Sequence, residues 1–542
     1  MPNLRAQVRS NQAVIQEARS PARCAREGEH SSTGITLVRL SIAAGCLSLM
    51  TAGCATVNPK PDYQRAAGII TERTGVAELY DPEAESLIEQ RVAALLAHGL
   101  TKDEAVEVAL LNNRAFQAAF QEIGVSRAEV VQSSLPSNPT LGLSVRFPEG
   151  GGRSNLTLAL AQQLVDFWQI PVRKRIAESQ LQRTILSIAR EAVVLAAETE
   201  ARYWRLLALE RAEALAREDV ELAGRSLELA QDRFNAGEAG KLDVNLARAA
   251  ALAMQQRLIT LRGELQAARA DLTRLIGLSR GDHSWELSGE LPDAVAEELD
   301  ENALLEAALT QRLDAQAAIM QVHAAEAEIR SQILSIFPDV TLGTELERTE
   351  NRALPGRRVL ADTARASVRG GGLTAPDIQT RSERGLERSQ IIDTLLGPTL
   401  DVTLPIWHQN QPQIARARYA AAQRRKQFED LLDEIAQDVD KAVAAARSAA
   451  ELVVFYRDKA LPLARENVEA ARRAYQAGEQ SIIALMDAQK VLVAQRREYL
   501  DVRRDYAISL AELRRAIGGK APLGASTQAA TSQPAPTSEA DP

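Results

Sequence analysis

Aromatic residues and cysteine are scarce in this sequence. Phe, Trp and Tyr together account for 4% of the 542 residues, a proportion that suits long packed helices better than a large mixed core. The three cysteines all lie near the N-terminus, at Cys24, Cys46 and Cys54. Because no cysteine follows them, a disulfide framework or a cysteine-based metal site is excluded for the rest of the chain.

Local motifs of enzymes and of nucleic-acid-binding proteins are also missing. The sequence contains neither a Gly-x-x-x-x-Gly-Lys-Ser/Thr phosphate loop nor a His-Glu-x-x-His zinc motif. Its five histidines are far apart, at His30, His98, His283, His323 and His408. The formal net charge is -8 with basic residues interspersed, which gives no nucleic-acid footprint. We therefore expect a protein that is not an enzyme and has no cofactor, no resident metal and no nucleic-acid partner.

The N-terminal region has the organisation of an export signal. An apolar run from Leu40 to Met50 follows several arginines and precedes small residues. This run is too short to remain in a bilayer as a helix, which requires ~20 residues. Residues 1–53 are therefore predicted to be a signal peptide. Ala52-Gly53-Cys54 resembles a bacterial lipobox, which would place a lipid on Cys54; ordinary cleavage nearby is the alternative.

The body of the chain is duplicated. Matching segments recur at an offset of 241 residues: Arg233–Glu238 with Ala474–Glu479, and Arg274–Gly277 with Arg515–Gly518. Upstream, Thr140–Gly142 matches Thr341–Gly343 at an offset of 201. The difference between the two offsets places about 40 additional residues in the second repeat. They lie in a segment that lacks helical or strand periodicity and is predicted to be a long loop.

These offsets give the following domain organisation. We expect a signal peptide at 1–53, an N-terminal linker segment at 54–100, a first repeat at 101–299, a second repeat at 300–519 with its long loop at 348–390, and a tail at 520–542. The tail is rich in Ala, Ser, Thr and Pro and is predicted to be disordered.

Long helices dominate each repeat. Apolar residues recur at helical spacing over 175–232, 242–276, 303–334, 414–473 and 482–517. Antiparallel pairs of these helices, joined at Ala-Gly-Glu turns, would form two long hairpins in each chain. Gly237 and Gly478 fit the left-handed position at a helix end.

Four short segments instead alternate apolar and polar residues. They are Thr140–Phe147, Asn155–Ala161, Asp339–Leu346 and Thr399–Leu404. This is the lipid-facing and water-facing pattern of a transmembrane β-barrel, although a soluble hairpin with one wet face shows it too. Trp168 and Trp407 follow the second strand of each pair, where they would lie at the membrane–water interface or pack at a strand–helix junction.

Four strands cannot close a barrel, and open edges are not tolerated in lipid. Two copies would supply eight strands, and a barrel of that size is filled by its own side chains. We therefore expect a homotrimer with a 12-stranded transmembrane barrel. The predicted fold is mainly α with a small β part, in which long helical hairpins form an α-barrel that continues the β-barrel.

Over nearly all of residues 101–519 the chain resembles TolC-type outer-membrane factors. The resemblance rests on an aromatic-x-x-Gly turn followed by an aspartate, present as Phe234, Gly237 and Asp243 and again as Tyr475, Gly478 and Asp487. A shorter stretch, Leu404–Gln411, looks like the heavy-metal (CzcC-like) branch.

In that family the turn forms the periplasmic tip that closes the tube. The resemblance implies gate roles for Asp243, Tyr475 and Asp487, and adaptor docking at the Gly237 and Gly478 turns. For the aspartates, helix capping is the alternative. Gln480 and Ala484 stand where the best-known member has an Arg and an Asp, so the closing network must differ.

The resemblance implies a passive outer-membrane channel subunit of a tripartite efflux system, extending into the periplasm of a Gram-negative bacterium. Its partners would be a periplasmic adaptor (membrane fusion) protein and an RND-type inner-membrane pump, and its cargo small molecules or heavy-metal cations. Lumen-facing Asp339, Glu345 and Asp401 would favour cations. The alternative is a soluble periplasmic coiled-coil scaffold or adaptor, which two hairpins alternating with two strand pairs disfavour.

Overall fold

The computed structural model describes residues 55–82, 85–147, 154–278, 285–294, 299–350, 365, 367–372 and 392–520. The chain separates into two compact units, Met1–Thr56 and Val57–Pro542. Only Ala55 and Thr56 of the first unit are described, so the predicted signal peptide and Cys54 lie outside the described residues. Most of the predicted loop at 348–390 and the tail beyond Lys520 also lie outside them.

The second unit is mainly helical, and its elements repeat in the same order. Two helices come first: α1 (Lys60–Thr74) and α2 (Glu85–Leu96). The first repeat contains α3 (Lys102–Asn112), α4 (Arg114–Ser134), β1 (Thr140–Arg146), β2 (Asn155–Gln163), α5 (Asp166–Asn235) and α6 (Lys241–Leu275). The second contains α7 (Glu301–Gln311), α8 (Leu313–Leu334), β3 (Val340–Glu350), β4 (Ile392–Val402), α9 (Gln411–Phe455), a π-helical turn (Tyr456–Ala460), α10 (Leu461–Gln476) and α11 (Ile482–Ile517). The predicted internal duplication is confirmed.

The length of the hairpin helices follows from their composition. Helix α5 contains 70 residues, which corresponds to about 105 Å at the rise of an α-helix. Its only proline is Pro171, in the second turn, and the residues after it are strong helix formers such as Ala, Leu, Glu and Arg. Among the helices of the described residues, none is long and apolar enough to cross a membrane.

The π-helical turn accounts for a change of offset between the repeats. Buried residues of α5 correspond to buried residues of α9 at an offset of 240, whereas the tip glycines are 241 apart. The pairs are Ala177 and Ala417, Leu181 and Ala421, Tyr203 and Val443, and Leu206 and Ala446. A π-bulge accommodates one additional residue within a helix. The second repeat therefore contains its extra residue at Tyr456–Ala460.

Each repeat closes on itself through a glycine. Gly277 follows α6 with φ 75°, and a Cβ there would lie 2.1 Å from the carbonyl oxygen of Asn112 at the end of α3. Gly518 follows α11 with φ 96°, and its Cβ would lie 3.0 Å from the Cα of Arg312, at the matching α7–α8 junction. Only a residue without a side chain permits both the left-handed backbone and this approach.

Segment 54–100, interpreted above as a linker, contains α1 and α2. Helix α1 contributes Ala66 and Ile70 to the largest core cluster, both fully buried. Asp62 of α1 accepts two hydrogen bonds from the Arg127 guanidinium, at 2.5 and 2.7 Å. Tyr63 and Ile69 also pack on this core, but the apolar stripe of α1 spans only about two turns and contains Gly68, which explains why helical periodicity did not reveal it.

The segment between the repeats, at residues 285–294, packs on the same core. Trp285 is fully buried, and the Arg269 guanidinium lies 4.7 Å from the centre of its ring and donates to its carbonyl oxygen. Tyr203 of α5 donates to the Ser288 carbonyl oxygen at 2.6 Å. The inter-repeat segment is thus held against the middle of α5 and the last turns of α6.

The four strands form one antiparallel sheet in the order β1-β2-β3-β4. Strand β3 extends to Glu350, and β4 begins at Ile392, earlier than its predicted start at Thr399. Alternation failed to predict this part of β4 because Leu395 and Leu396 are adjacent apolar residues followed by Gly and Pro.

Candidate functional site

One face of the sheet is mainly apolar on all four strands, with Thr344 and Arg348 of β3 as polar exceptions. Leu141 pairs with Leu160, Leu158 with Leu346, and Leu342 with Leu400, and directly paired residues share a face. Most of this face is open to solvent in the single chain; Leu141 and Leu400, for example, are 70% and 64% exposed. A contiguous exposed apolar face of this kind indicates a membrane or a partner surface.

The opposite face is mainly small and polar, with Leu395, opposite Glu347, as a large apolar exception. Glu345 pairs with Gly397, and Asp401 with Thr341, which places both carboxylates on this face. Asp339 precedes β3 in the same alternation, and its carbonyl oxygen accepts a hydrogen bond from Thr403 at 3.0 Å. The three acidic residues singled out from the sequence therefore share one face, and Glu347, which sequence reasoning missed, lies there too.

The polar face is tightly packed at Gly343. A Cβ at Gly343 would lie 2.6 Å from Thr399 Oγ1 and 2.8 Å from the Leu160 carbonyl oxygen. Gly397, on the same face of β4, has no atom within 4 Å of an added Cβ. The tight packing is therefore local to Gly343.

Both outer strands have an unsatisfied edge. In the part of the chain that the structure describes, β1 pairs only with β2 and β4 pairs only with β3. Their outward backbone groups lie beside an apolar face that is itself uncovered. Such edges require pairing with another chain if they are to enter lipid.

The two tryptophans at the strand–helix junctions differ in environment. Trp168 is half-buried and its indole N–H is enclosed, whereas Trp407 is 93% exposed and follows the exposed Leu404 and Ile406. The interface interpretation fits Trp407, and the junction-packing interpretation fits Trp168. Asn410 then starts α9 with a left-handed backbone, φ 59°, and its amide donates to α8.

The tips of the two hairpins have the same turn. Gly237 and Gly478 have φ values of 80° and 77°, in the left-handed conformation that their spacing predicts. Glu238 N–H donates to the Arg233 carbonyl oxygen at 2.8 Å, and Glu479 N–H to the Ala474 carbonyl oxygen at 2.9 Å. These bonds satisfy the last carbonyl groups of each helix.

Arg233 joins the two tips and was missed by sequence reasoning. Its guanidinium lies 4.6 Å from the centre of the Tyr475 ring and donates to the Tyr475 carbonyl oxygen. Tyr475 is 3% exposed and packs with Ala230, Ala247 and Ile482. A difference between the repeats could have identified Arg233, since the equivalent position of the second repeat is Ala474.

Of the three residues assigned to a gate by resemblance, the structure brings Tyr475 and Asp243 near each other. Burial raises the pKa of the Tyr475 hydroxyl, and the Asp243 carboxylate raises it further, while Arg233 opposes the shift. Asp243 also accepts the Gly240 N–H at 3.0 Å, which is the capping alternative. Asp487 lies on an exposed part of α11.

Two more contacts join α5 to α11 above the tips. Gln489 donates to the Ser226 hydroxyl at 2.8 Å. Asp219 is buried, with Arg496 Nη1 3.7 Å from its Oδ1. Burial raises the pKa of Asp219 to about 6, with Arg496 acting in the opposite direction and Glu218 in the same one. We call these three contacts the tip seam: Asp219–Arg496, Ser226–Gln489 and Arg233–Tyr475.

The described residues contain no group of three or more His, Cys, Asp or Glu side chains that could hold a metal ion. His408 is exposed beside Trp407, with its ring Nε2 3.5 Å from the Gln413 amide. Any cation would therefore meet isolated carboxylates on the sheet rather than a preformed cluster in this part of the chain.

Comparison with known proteins gives one family and one fold. Residues 105–278 and 304–519 match the family model for outer membrane efflux protein. No sequence among the curated proteins matches the chain significantly.

Solved outer-membrane proteins share the architecture. The MtrE outer membrane channel of Neisseria gonorrhoeae, in its open state, is 19% identical over 77% of this chain and 88% of that chain, with a TM-score of 0.57. VceC from Vibrio cholerae is 18% identical over 77% and 96%, with a TM-score of 0.58. The CmeC outer membrane channel of Campylobacter jejuni is 15% identical over 77% and 85%, with a TM-score of 0.60. At such identities the similarity concerns the fold.

Proposed function

The chain belongs to the outer membrane efflux protein family, and from this premise we propose that it is the outer-membrane channel subunit of a tripartite efflux system. In this proposal it works as a homotrimer and conducts small molecules or heavy-metal cations passively. A periplasmic adaptor engages it, and an RND-type inner-membrane pump supplies the energy.

The observation that carries this proposal is the two-sided sheet with two open edges. Its apolar face suits lipid and its polar face suits water. Three copies would join β4 of each chain to β1 of the next, so that twelve strands close without an edge. The polar face would then line the lumen, with Asp339, Glu345 and Asp401 towards the passing solute.

The duplication also supports a specific contact between copies. Within the chain, Leu500 of α11 packs on the core of the first repeat, and Val493 lines a small cavity with Asp219 of α5. Their counterparts in α6 are Ile259 and Leu252, which are 69% and 58% exposed. We infer that these two residues pack on α9 and α10 of a neighbouring copy and repeat the contact made within the chain.

The hairpin tips are the proposed gate and docking site. Asp243, Tyr475 and Asp487 are proposed to hold the periplasmic end closed, and the exposed turns at Gly237 and Gly478 to receive the adaptor. Cys54 is the proposed lipid anchor. The Leu404–Gln411 stretch favours heavy-metal cations as cargo, and a drug or another small molecule is the alternative.

Membrane extraction and planar-bilayer recording test the proposal. A barrel requires detergent for release, whereas a soluble periplasmic scaffold is released by osmotic shock. Single-channel currents should show cation selectivity that falls from wild type to Asp401→Asn and falls further in Asp401→Lys, because the lumenal charge decreases. Release without detergent would reject the channel, and unchanged selectivity would reject the lumenal position of Asp401.

A further inference from the structure

A basic cavity lies where the two ends of the folded body meet. It has a volume of about 340 Å³ and lies between the end of α1, the start of α3, the middle of α5 and the end of α11. Its charged lining consists of five cationic and two anionic side chains: Arg73, Lys102, Arg514, Arg515, Lys520, Asp103 and Glu200. It is remote in sequence from both the sheet and the hairpin tips.

The carboxylates are already engaged. Arg514 holds the buried Glu200 through two contacts of 2.9 and 2.7 Å. Asp103 pairs with Lys102 at 2.9 Å, and its side chain is turned to solvent. Arg515 has its own partner outside the cavity, the Glu512 carboxylate at 2.6 Å. These pairs neutralise three of the five cations.

The other two cations, Arg73 and Lys520, are less well compensated. Arg73 Nη1 donates to the Gln311 side-chain carbonyl oxygen at 3.1 Å, and its Nη2 forms a long ion pair of 3.8 Å with the exposed Glu72. The Nε of Arg73 is buried without an acceptor. Among the described residues, no carboxylate lies within ion-pair distance of Lys520.

The backbone holds these two cations beside one another. Lys520 N–H donates to the Arg73 carbonyl oxygen at 3.0 Å. Gly519, with φ 138°, allows this approach, because a Cβ there would lie 2.7 Å from the same oxygen. Gly75, with φ 79°, ends α1 beside the Lys520 ammonium. Two glycine turns therefore build the site in advance of any ligand.

We propose that this cavity binds a doubly charged oxyanion of the phosphate type, with Arg73 and Lys520 as its cationic ligands. Arg73 supplies a guanidinium and Lys520 an ammonium on the cavity lining, a pairing suited to tetrahedral oxyanions. The first turn of α3, at Lys102 and Asp103, also lines the cavity, so the positive end of this helix dipole lies beside it. This site is independent of the channel function proposed above.

Isothermal titration of the purified full-length protein in detergent with inorganic phosphate tests the site. Phosphate should bind saturably at constant ionic strength, and acetate should bind more weakly because it carries one charge. Lys520→Gln should weaken phosphate binding about tenfold, the loss of one charge-assisted hydrogen bond. Lys490→Gln, on an exposed part of α11 outside the cavity, is the matched control and should bind as the wild type does.

Gly519→Ala provides a second test that retains every charge. The added Cβ should displace Lys520 from Arg73 and weaken phosphate binding, while the circular-dichroism spectrum stays unchanged. Absence of saturable phosphate heat, equal binding of acetate, or wild-type affinity in Lys520→Gln would each overturn the proposal.

Discussion

Arg233 of the first hairpin lies over the ring of Tyr475 of the second and donates to its carbonyl oxygen. This contact joins two residues whose counterparts in the repeat, Ala474 and Phe234, cannot form it. Within a chain this contact therefore links the two tips. In the proposed trimer, the corresponding junction between neighbouring copies would have no such contact.

Removing this link should loosen the tip. Arg233→Ala loses a partly buried cation–π contact, worth ~1–2 kcal/mol, and a hydrogen bond to a carbonyl group. We expect a higher open probability in planar-bilayer recordings and faster proteolysis at the tip. Arg225→Ala, a surface arginine of the same helix that pairs with Glu221, is the control. Equal open probabilities in the two variants would contradict a role of the Arg233–Tyr475 contact in holding the tips together.

An added methyl group on the polar face of the sheet should destabilise the protein at Gly343 but not at Gly397. Gly343→Ala would place its Cβ against the Leu160 carbonyl oxygen, and such overpacking costs ~1–3 kcal/mol. Gly397→Ala points into open space on the same face. We expect a lower thermal transition of the assembled protein for Gly343→Ala alone, measured by circular dichroism. Equal transitions in the two variants would contradict the crowding at Gly343.

Asp219 should make stability depend on pH. Its pKa rises from 3.8 to about 6 because the carboxyl is buried. Folding therefore favours its protonated form. The contribution of Asp219 to the free energy of unfolding is fully present below pH 3.8 and is lost as the pH rises through 6. It amounts to ~3 kcal/mol in total.

Asp219→Asn removes this titration. The melting temperature of the wild type minus that of the variant should fall between pH 4 and pH 7. Asp232→Asn, at an exposed position of the same helix, should give a flat difference. A rise for Asp219→Asn would mean that the Arg496 ion pair outweighs burial.

Several features of the fold were predictable because they depend on local patterns. The left-handed turns at Gly237 and Gly478 follow from spacing, and the faces of the four strands follow from alternation. The common face of Glu345 and Asp401 also follows, since each position has the right parity within its strand.

Other features depend on partners far away in sequence. Arg233 meets Tyr475 only after two hairpins have packed, and Arg73 meets Lys520 only when both ends of the body come together. Helix α1 was missed because its buried stripe is short, and the start of β4 because Leu395 breaks the alternation. Such positions are decided by tertiary contacts that no local pattern encodes.

The duplication predicts the strand register between copies. Strand β1 corresponds to β3, so that Ser144 matches Glu345 at the offset of 201. Thr399 matches Ala159, because these residues face Gly343 and Gly142 respectively. Ala159 pairs with Glu345 across β2 and β3. Thr399 should therefore pair with Ser144 of the next copy.

Cysteine cross-linking at this pair tests most directly whether three copies close the sheet. In Ser144→Cys/Thr399→Cys, oxidation should give covalent species of up to three chains on non-reducing gels and none larger. The single variants should give no such ladder, and Ser144→Cys/Thr157→Cys, which pairs within one chain, should remain a single chain. A double variant that stays a single chain after oxidation, or a ladder that continues beyond three chains, would contradict the closed trimer.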